Sequence, residues 1–285
     1  MFDMAIETDI LSPVQLTDLH DIVREAGQIG LSYFGKNIKN WQKPDDTPIT
    51  EADLAVNDFL DVRLKALMPE FGWLSEETVD NLERQNCEYI WVVDPIDGTK
   101  AFIKGLAEWV VSVAIVKNNR PILGLIYDPI AQILYYAQHG HGAYIINDEK
   151  QRVKIQPSDK DNVHEANILA YKFHFDRMTT RSDYIWPNMQ YQIVNSMAMR
   201  VALVACGEFD AMVSFTVKGE WDIAAADIII HEAGGMITDG LGQMLVYNKV
   251  EPSLPHMVAA GAKLHPNIIE HTANFNFPID NIFNR

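Results

Sequence analysis

The sequence predicts a mixed α/β protein in two parts, an α+β half over residues 1–150 and an α/β half over residues 151–285. Three observations carry this. Two long amphipathic segments lead the chain, a block of short apolar runs separated by turn residues follows, and beyond it strand-like and helix-like stretches alternate.

The first amphipathic segment, LSPVQLTDLHDIVREAGQIGLSYFGK, opens with Ser12 as N-cap and Pro13 at the first helical position. It places Leu16, Leu19, Val23, Ala26, Ile29 and Phe34 on one helical face. A polar break, KPDDTPIT, precedes EADLAVNDFLDVRLKALMP, which Thr50 caps and Pro69 stops. The period then changes. GWLSEE and YIWVVD are short apolar runs ending in acids, and WVVSVAIVKNNRPILGLIYDP reads as two strands around an Asn-Asn-Arg turn. ILYYAQHGHGAYIIN continues the meander, so that up to about Asp148 two helices cover an antiparallel sheet. The polar segment QRVKIQPSDKDN reads as the junction between the halves. Beyond it ANILAY, YQIV and DAMVSF are strand-like, while SMAMRVALVACG and a helix over 222–233 stopping at Gly234 and Gly235 supply the α component.

Composition narrows the function. Apolar residues make up 48% and charged residues 22% of 285, the profile of a folded protein with a large core. A net charge of -16 excludes a general binder of nucleic acid or anionic membrane, which needs a cationic face. Such a protein can still hold an anion by setting metal ions between its carboxylates and the ligand. Cys87 and Cys206 have neither disulfide-framework nor zinc spacing. With an acidic N-terminus and no apolar run of about 18 residues, they lead to the expectation of a cytoplasmic protein that does not span a membrane.

Acids stand at the ends of apolar elements in four places: Asp53 in TPITEAD, Glu76 and Glu77 in LSEE, Asp94 and Asp97 in WVVDPIDGT, and Asp222 in GEWDIAAAD. One such acid is ordinarily a cap or turn former; four suggest a shared site. In DPIDGT, Pro95 forces Asp94 out of the α region. The bend at Pro95 and Ile96 lets Asp94 and Asp97 converge and frees the Ile96 carbonyl, a hard-oxygen set suited to Mg²⁺. Gly98 and Thr99 then open a short helix whose amides suit a phosphate. Metal-binding carboxylates beside a phosphate cradle are the parts of metal-assisted phosphoryl hydrolysis. Adjacent acids on an extended stretch face opposite ways, so Glu76 is the candidate ligand, and Glu77 is expected behind it or in solvent. His139 and His141 lie in a Gly-rich turn and read as loop residues, and His231-Glu232 lacks the second His of a zinc helix.

In order and spacing, TPITEAD, LSEE, WVVDPIDGT and EWDIAAADIIIHEAGG resemble the inositol monophosphatase superfamily of Mg²⁺-dependent, lithium-sensitive phosphatases. The resemblance implies a layered α/β/α/β/α sandwich with the active site between the halves. It implies that Glu76, Asp94, the Ile96 carbonyl, Asp97 and Asp222 bind two or three Mg²⁺ ions, with Li⁺ an inhibitor. Glu76 and Thr99 would orient the attacking water, Asp53 would polarise the Thr99 hydroxyl, and the Gly98 and Thr99 amides would hold the phosphate. A homodimer is the assembly it suggests.

For the substrate, a small phosphate ester, the motifs are similar to those of the 3'(2'),5'-bisphosphate nucleotidase branch. Lys100 and Lys104 add positive charge beyond the cradle, where a second phosphate would want it. Phe215 stands where inositol-specific members carry an acid for sugar hydroxyls, and an apolar ring there favours a flatter leaving group. Inositol 1-phosphate and histidinol phosphate are the alternatives. Some bacterial relatives act as partners of the RNA machinery, a reading from a different class. Residues 172–192, KFHFDRMTTRSDYIWPNMQYQ, are a place for substrate contacts that match no motif.

Overall fold

The computed structural model describes residues 10–44, 46–171 and 190–273. Ser12 caps α1 (Pro13–Tyr33) in a reciprocal capping box with Gln15, and Thr50 caps α2 (Glu51–Leu67) in another with Asp53. Between them lies a small hairpin, β1 (Asn40–Gln42) and β2 (Pro48–Thr50). The two helices pack on one face of a seven-stranded sheet: β3 (Gly72–Ser75), β4 (Tyr89–Asp97), β5 (Val110–Lys117), β6 (Arg120–Asp128), β7 (Ile133–Gln138), β8 (Gly142–Asn147) and β9 (Arg152–Lys154), in that spatial order. The short helix α3 (Thr99–Ile103) follows β4.

Two sequence expectations are corrected here. The sheet is not wholly antiparallel, because β3 runs parallel to β4. The segment read as an irregular junction supplies β9, which pairs with β8. Both pairings depend on partners that local periodicity does not reveal.

The second sheet runs β11 (Gln190–Gln192), β10 (Asn167–Leu169), β12 (Ala211–Ser214), β16 (Met257–Gly261), β14 (Gly235–Asp239). Between the sheets lie α4 (Met197–Ala205) and α5 (Ala224–Glu232), and α6 (Leu264–Ala273) covers the far face. A minor pair, β13 (Lys218–Gly219) and β15 (Ser253–Leu254), precedes α5 and β16. Of the segment 172–192, residues 172–189 lie outside the described residues.

Strand alternation sorts the core into three layers. Trp91, Val93, Val111 and Val113 face α1 and α2, where Leu19, Val23, Val56 and Leu60 meet them. Their neighbours Val92, Ala114 and Ile126 face α4 and α5, and from the other side Met212, Ile237 and Ala259 close the same layer. Val213, Val258 and Ala260 turn outward to Leu264 and Ile268 of α6. The order is α/β/α/β/α, as the resemblance implied.

Helix α5 lies very close to the first sheet, and the register explains how. Ala114, Gly124, Ala137 and Ala143 fall opposite one another on four adjacent strands, leaving a shallow trough of small residues. A Cβ on Gly124 would come 2.5 Å from the Ala225 carbonyl oxygen and 2.6 Å from Ile228 Cγ2. The middle helix thus sits where a larger side chain would collide with its backbone, and its seating sets the position of the residues just before it, Trp221 and Asp222. Gly124→Val is expected to cost about 3 kcal/mol or more, the overpacking penalty at a site that cannot give. Urea unfolding would read this as a lowered midpoint; an unchanged midpoint would mean that α5 is not held by this contact.

Candidate metal and phosphate site

Four segments meet at one end of the middle layer. The parallel pairing of β3 and β4 sets Ser75 opposite Val93, so Glu76 leaves β3 beside Asp94. On β4 the ladder to β5 slips: Asp94 is opposite Ser112 and Asp97 opposite Val110, three residues answering two. The extra residue is a bulge. In an unbroken strand, residues three apart face opposite sides; the bulge brings Asp97 back to the side of Asp94. Ile96, between them, is buried in the α1/α2 layer and anchors the corner. From the other half, Asp222 sits in the turn ahead of α5, its Oδ2 accepting the Gly219 amide at 2.8 Å. The helix itself begins at Ala224, so Asp222 is not in its first turn as the sequence suggested. Buried Glu220 braces this turn by accepting the amides of Asn248 and Lys249.

Glu76, Asp94 and Asp222 each bring one carboxylate oxygen within 4.8 Å of the others. Asp97 lies outside this triplet. Its Oδ2 accepts the Ser196 hydroxyl and the Ala198 amide, both at 2.6 Å, which fastens β4 to the start of α4. Burial pushes Asp94 well above the usual carboxylate range, and Glu76, Asp97 and Asp222 add to it. Asp222 is pushed up to about 7 by burial, with Asp97 and Glu76 reinforcing and Lys218 opposing. Burial raises Asp97 as well, against its hydrogen bonds to the start of α4 and the charge of Lys218. Asp94 Oδ1 accepts the Ile96 amide at 3.1 Å, while Oδ2 is buried without a partner. An orphaned carboxylate oxygen facing two further carboxylates fits a hard divalent cation, which supplies the missing positive charge.

The Ile96 carbonyl is not free as the sequence suggested: it accepts the Thr99 hydroxyl at 3.1 Å, which also lies 3.2 Å from Asp53 Oδ1. The other oxygen of Asp53 accepts the Thr50 amide at 2.8 Å and the Thr50 hydroxyl at 2.5 Å. One acid therefore caps α2 and engages Thr99. Burial pushes its carboxyl up to about 6. Gly98 adopts φ 105°, and a Cβ there would lie 2.4 Å from the Glu108 carbonyl oxygen, so glycine is required on both counts. Glu77 is neither solvated nor turned away: Lys43 Nζ lies 2.8 Å from Glu76 Oε1 and 2.9 Å from Glu77 Oε1. Burial and the neighbouring Glu76 push Glu77 up to about 7. Burial works against the Lys43 charge, yet the two glutamates hold its pKa above the usual lysine range.

Glu76, Asp94, Ile96, Asp97, Gly98, Thr99 and Asp222 line a cavity of about 300 Å³ that also takes in Lys100, Asn195, Arg200, Lys218 and Trp221, with Lys43, Asp53 and Glu77 behind it. Lys104 is exposed at the end of α3 and is not among the lining residues. Phe215 is 3% exposed and packs in the α6 layer, away from the cavity, so it contributes no ring to the ligand. The sequence reading missed Lys43, Asn195, Arg200 and Lys218. Only Lys218, four residues before Asp222, carried a local hint; the others reach the site through long-range packing.

A layered sandwich with a carboxylate triplet centred on buried Asp94, beside a glycine-opened turn, defines a metal-dependent phosphatase. The chain belongs to the inositol monophosphatase family, whose model matches residues 13–275. It is similar to the 3'(2'),5'-bisphosphate nucleotidase CysQ of Aggregatibacter actinomycetemcomitans, 34% identical over 96% of this chain and 98% of that protein. The Nus factor SuhB of Pasteurella multocida is 29% identical over 86% of this chain and 91% of its own length. Among solved structures, the Thermotoga maritima IMPase superposes with a TM-score of 0.76 at 25% identity, over 92% of this chain and 97% of that one. The chain is accordingly a phosphoric monoester hydrolase. Among the described residues no helix is long and apolar enough to cross a membrane.

Asp222 yields a stability prediction. A carboxyl whose folded pKa is raised binds protons that the unfolded chain has released, so stability falls as pH rises from about 4, the unfolded value, to about 7. In chelator, Asp222→Asn, which keeps an acceptor for the Gly219 amide, should melt above the parent at pH 8, with the gap closing by pH 5. A gap independent of pH would contradict the repulsion described.

Proposed function

We propose that the protein is a Mg²⁺-dependent phosphatase of nucleoside 3'(2'),5'-bisphosphates. The observation that carries this reading is the charge distribution of the cavity. Glu76, Asp94, Asp97 and Asp222 line it, and Lys100, Arg200 and Lys218 stand among the same lining residues. Arg200 donates through Nε to the Val194 carbonyl at 2.5 Å and lies over the Tyr171 ring, which holds its guanidinium at the cavity, and a second phosphate on the same molecule would employ the cations that one phosphate held through metal ions does not need. The 34% identity to a bisphosphate nucleotidase over nearly the full length of both chains supports the same choice.

Glu76, Asp94 and Asp222 would hold the ions, joined by Asp97 and the Ile96 carbonyl. Bound Mg²⁺ supplies Lewis-acid stabilisation of charge on the phosphoryl oxygens and lowers the pKa of a water. The remaining work belongs to the chain. The amides of Gly98 and Thr99 hold the phosphate. The Thr99 hydroxyl, directed at Asp53 and the Ile96 carbonyl, keeps a lone pair for a proton of the attacking water. Asp53, raised to about 6, is matched to accept a proton near neutral pH. Glu76 orients the same water from the opposite side.

A phosphate-release panel of adenosine 3',5'-bisphosphate, inositol 1-phosphate, histidinol phosphate and fructose 1,6-bisphosphate tests the substrate. The first should lead by kcat/KM; a lead for inositol 1-phosphate overturns the nucleotide reading. Asp94→Asn should fall below about 1% of parental kcat, because metal activation contributes several kcal/mol, and Li⁺ should inhibit in competition with Mg²⁺. Similarity to a Nus factor favours a second reading, as a partner of the transcription machinery with hydrolysis secondary. Retention of transcription components on the immobilised protein, undiminished in Asp94→Asn, would support it.

A further inference from the structure

Asn195 precedes Ser196, the N-cap of α4, and lines the cavity. Its backbone N–H donates to Glu108 Oε2 at 2.9 Å, and its Nδ2 donates to the same oxygen at 2.5 Å. A carboxylate oxygen only accepts. The amide is therefore locked in one of its two orientations, because the flipped form would set Oδ1 against Oε2 at the same short distance. With the donor end consumed, what Asn195 offers the cavity is its carbonyl, which has no hydrogen-bond partner among the described residues and is not among the buried polar atoms lacking one. The arrangement is tied to the cradle at both ends. Ser196 donates to Asp97 at 2.6 Å, and the Glu108 carbonyl abuts Gly98, where a Cβ would lie 2.4 Å away. Asn195 therefore borders the same cavity as Gly98 and Thr99.

We propose that Asn195 is a specificity-determining residue whose Oδ1, held in orientation by Glu108, accepts a hydrogen bond from a hydroxyl vicinal to the phosphate ester on the leaving group. Under the nucleotide reading above, on which this form of the proposal rests, that hydroxyl is the ribose 2'-OH beside a 3'-phosphate. Glu108 acts through Asn195 and is a positioning residue. The chemistry it selects is a sugar or polyol phosphate over an ester with no neighbouring donor.

The test is a ratio of kcat/KM values, which loss of folded enzyme leaves unchanged because both substrates report the same folded fraction. The parent should prefer adenosine 3',5'-bisphosphate over its 2'-deoxy analogue by about tenfold, the worth of one buried hydrogen bond. Asn195→Ala should bring that ratio to near one. Glu108→Ala should lower it in part, by freeing the amide to turn, and the double variant should fall no further than Asn195→Ala alone. A ratio that survives Asn195→Ala overturns the proposal, as does strict additivity of the two substitutions. The same ratio is taken for inositol 1-phosphate over cyclohexyl phosphate. If the parent turns over only the inositol ester, the nucleotide reading fails by itself, and the second ratio decides for or against Asn195.

Discussion

Carboxylates that repel one another are held together in this protein, and the rest of the structure is arranged around that constraint. Glu76, Asp94 and Asp222 approach within 4.8 Å, and burial at Asp94 and Asp222 raises both carboxyls against the charges beside them. None of them is placed by an attractive interaction with another. The backbone places each of them, by a parallel strand pair for Glu76, a bulged ladder for Asp94 and Asp97, and a turn braced by Glu220 for Asp222, with Lys43 and the Gly219 amide holding Glu76 and Asp222 in addition. Apolar burial over three layers opposes the repulsion, and a site of this kind is built to be relieved by cations.

The middle layer is where that opposition is concentrated. Side chains of both halves meet α4 and α5 there, so the carboxylates from β3 and β4 and the one ahead of α5 refer to a single packed layer. The trough of Ala114, Gly124, Ala137 and Ala143 lets α5 approach the sheet closely enough to carry Asp222 to Asp94. Small residues in the sheet are thus a requirement of the site. At the same end of that layer Asp97 fastens the bulge to α4 through Ser196 and Ala198, so the corner of β4 is restrained from both halves.

What the sequence disclosed follows the range of the interactions. The starts of α1 and α2 were legible because an N-cap and its box lie within four residues. The acids of the site were legible because each ends an apolar run, and the family motifs joined Asp222 to them. The parallel pairing of β3 and the existence of β9 were not, since strand partners are set by segments far along the chain. The bulge was read as a simple bend; only the register against β5 reveals the extra residue. Lys43 and Arg200 were missed for the same reason. Lys43 reaches Glu76 across 33 positions, and Arg200 arrives on α4 with no local cue that its helix borders the site.

Lys43 also resolves how so acidic a site can admit an anion. Counting carboxylates overstates its charge, because Glu76 and Glu77 share one ammonium at 2.8 and 2.9 Å and Glu77 is raised to about 7. Against a chain of net charge -16, the cavity gathers Lys100, Arg200 and Lys218. A phosphate ester entering the cavity meets these three cationic side chains beside the four acids. The field of such a cleft is set by the nearest charges, since those beyond about 10 Å are screened by salt. Acids and cations border one cavity here, and Lys218 is near enough to Asp97 and Asp222 to oppose the rise in their pKa values. The two kinds of charge come from different elements: acids just after β3, at the end of β4 and ahead of α5, cations on α3, α4 and β13. Recognition of an anionic substrate by this acidic chain is accordingly a property of topology, of which elements border the cavity, more than of composition.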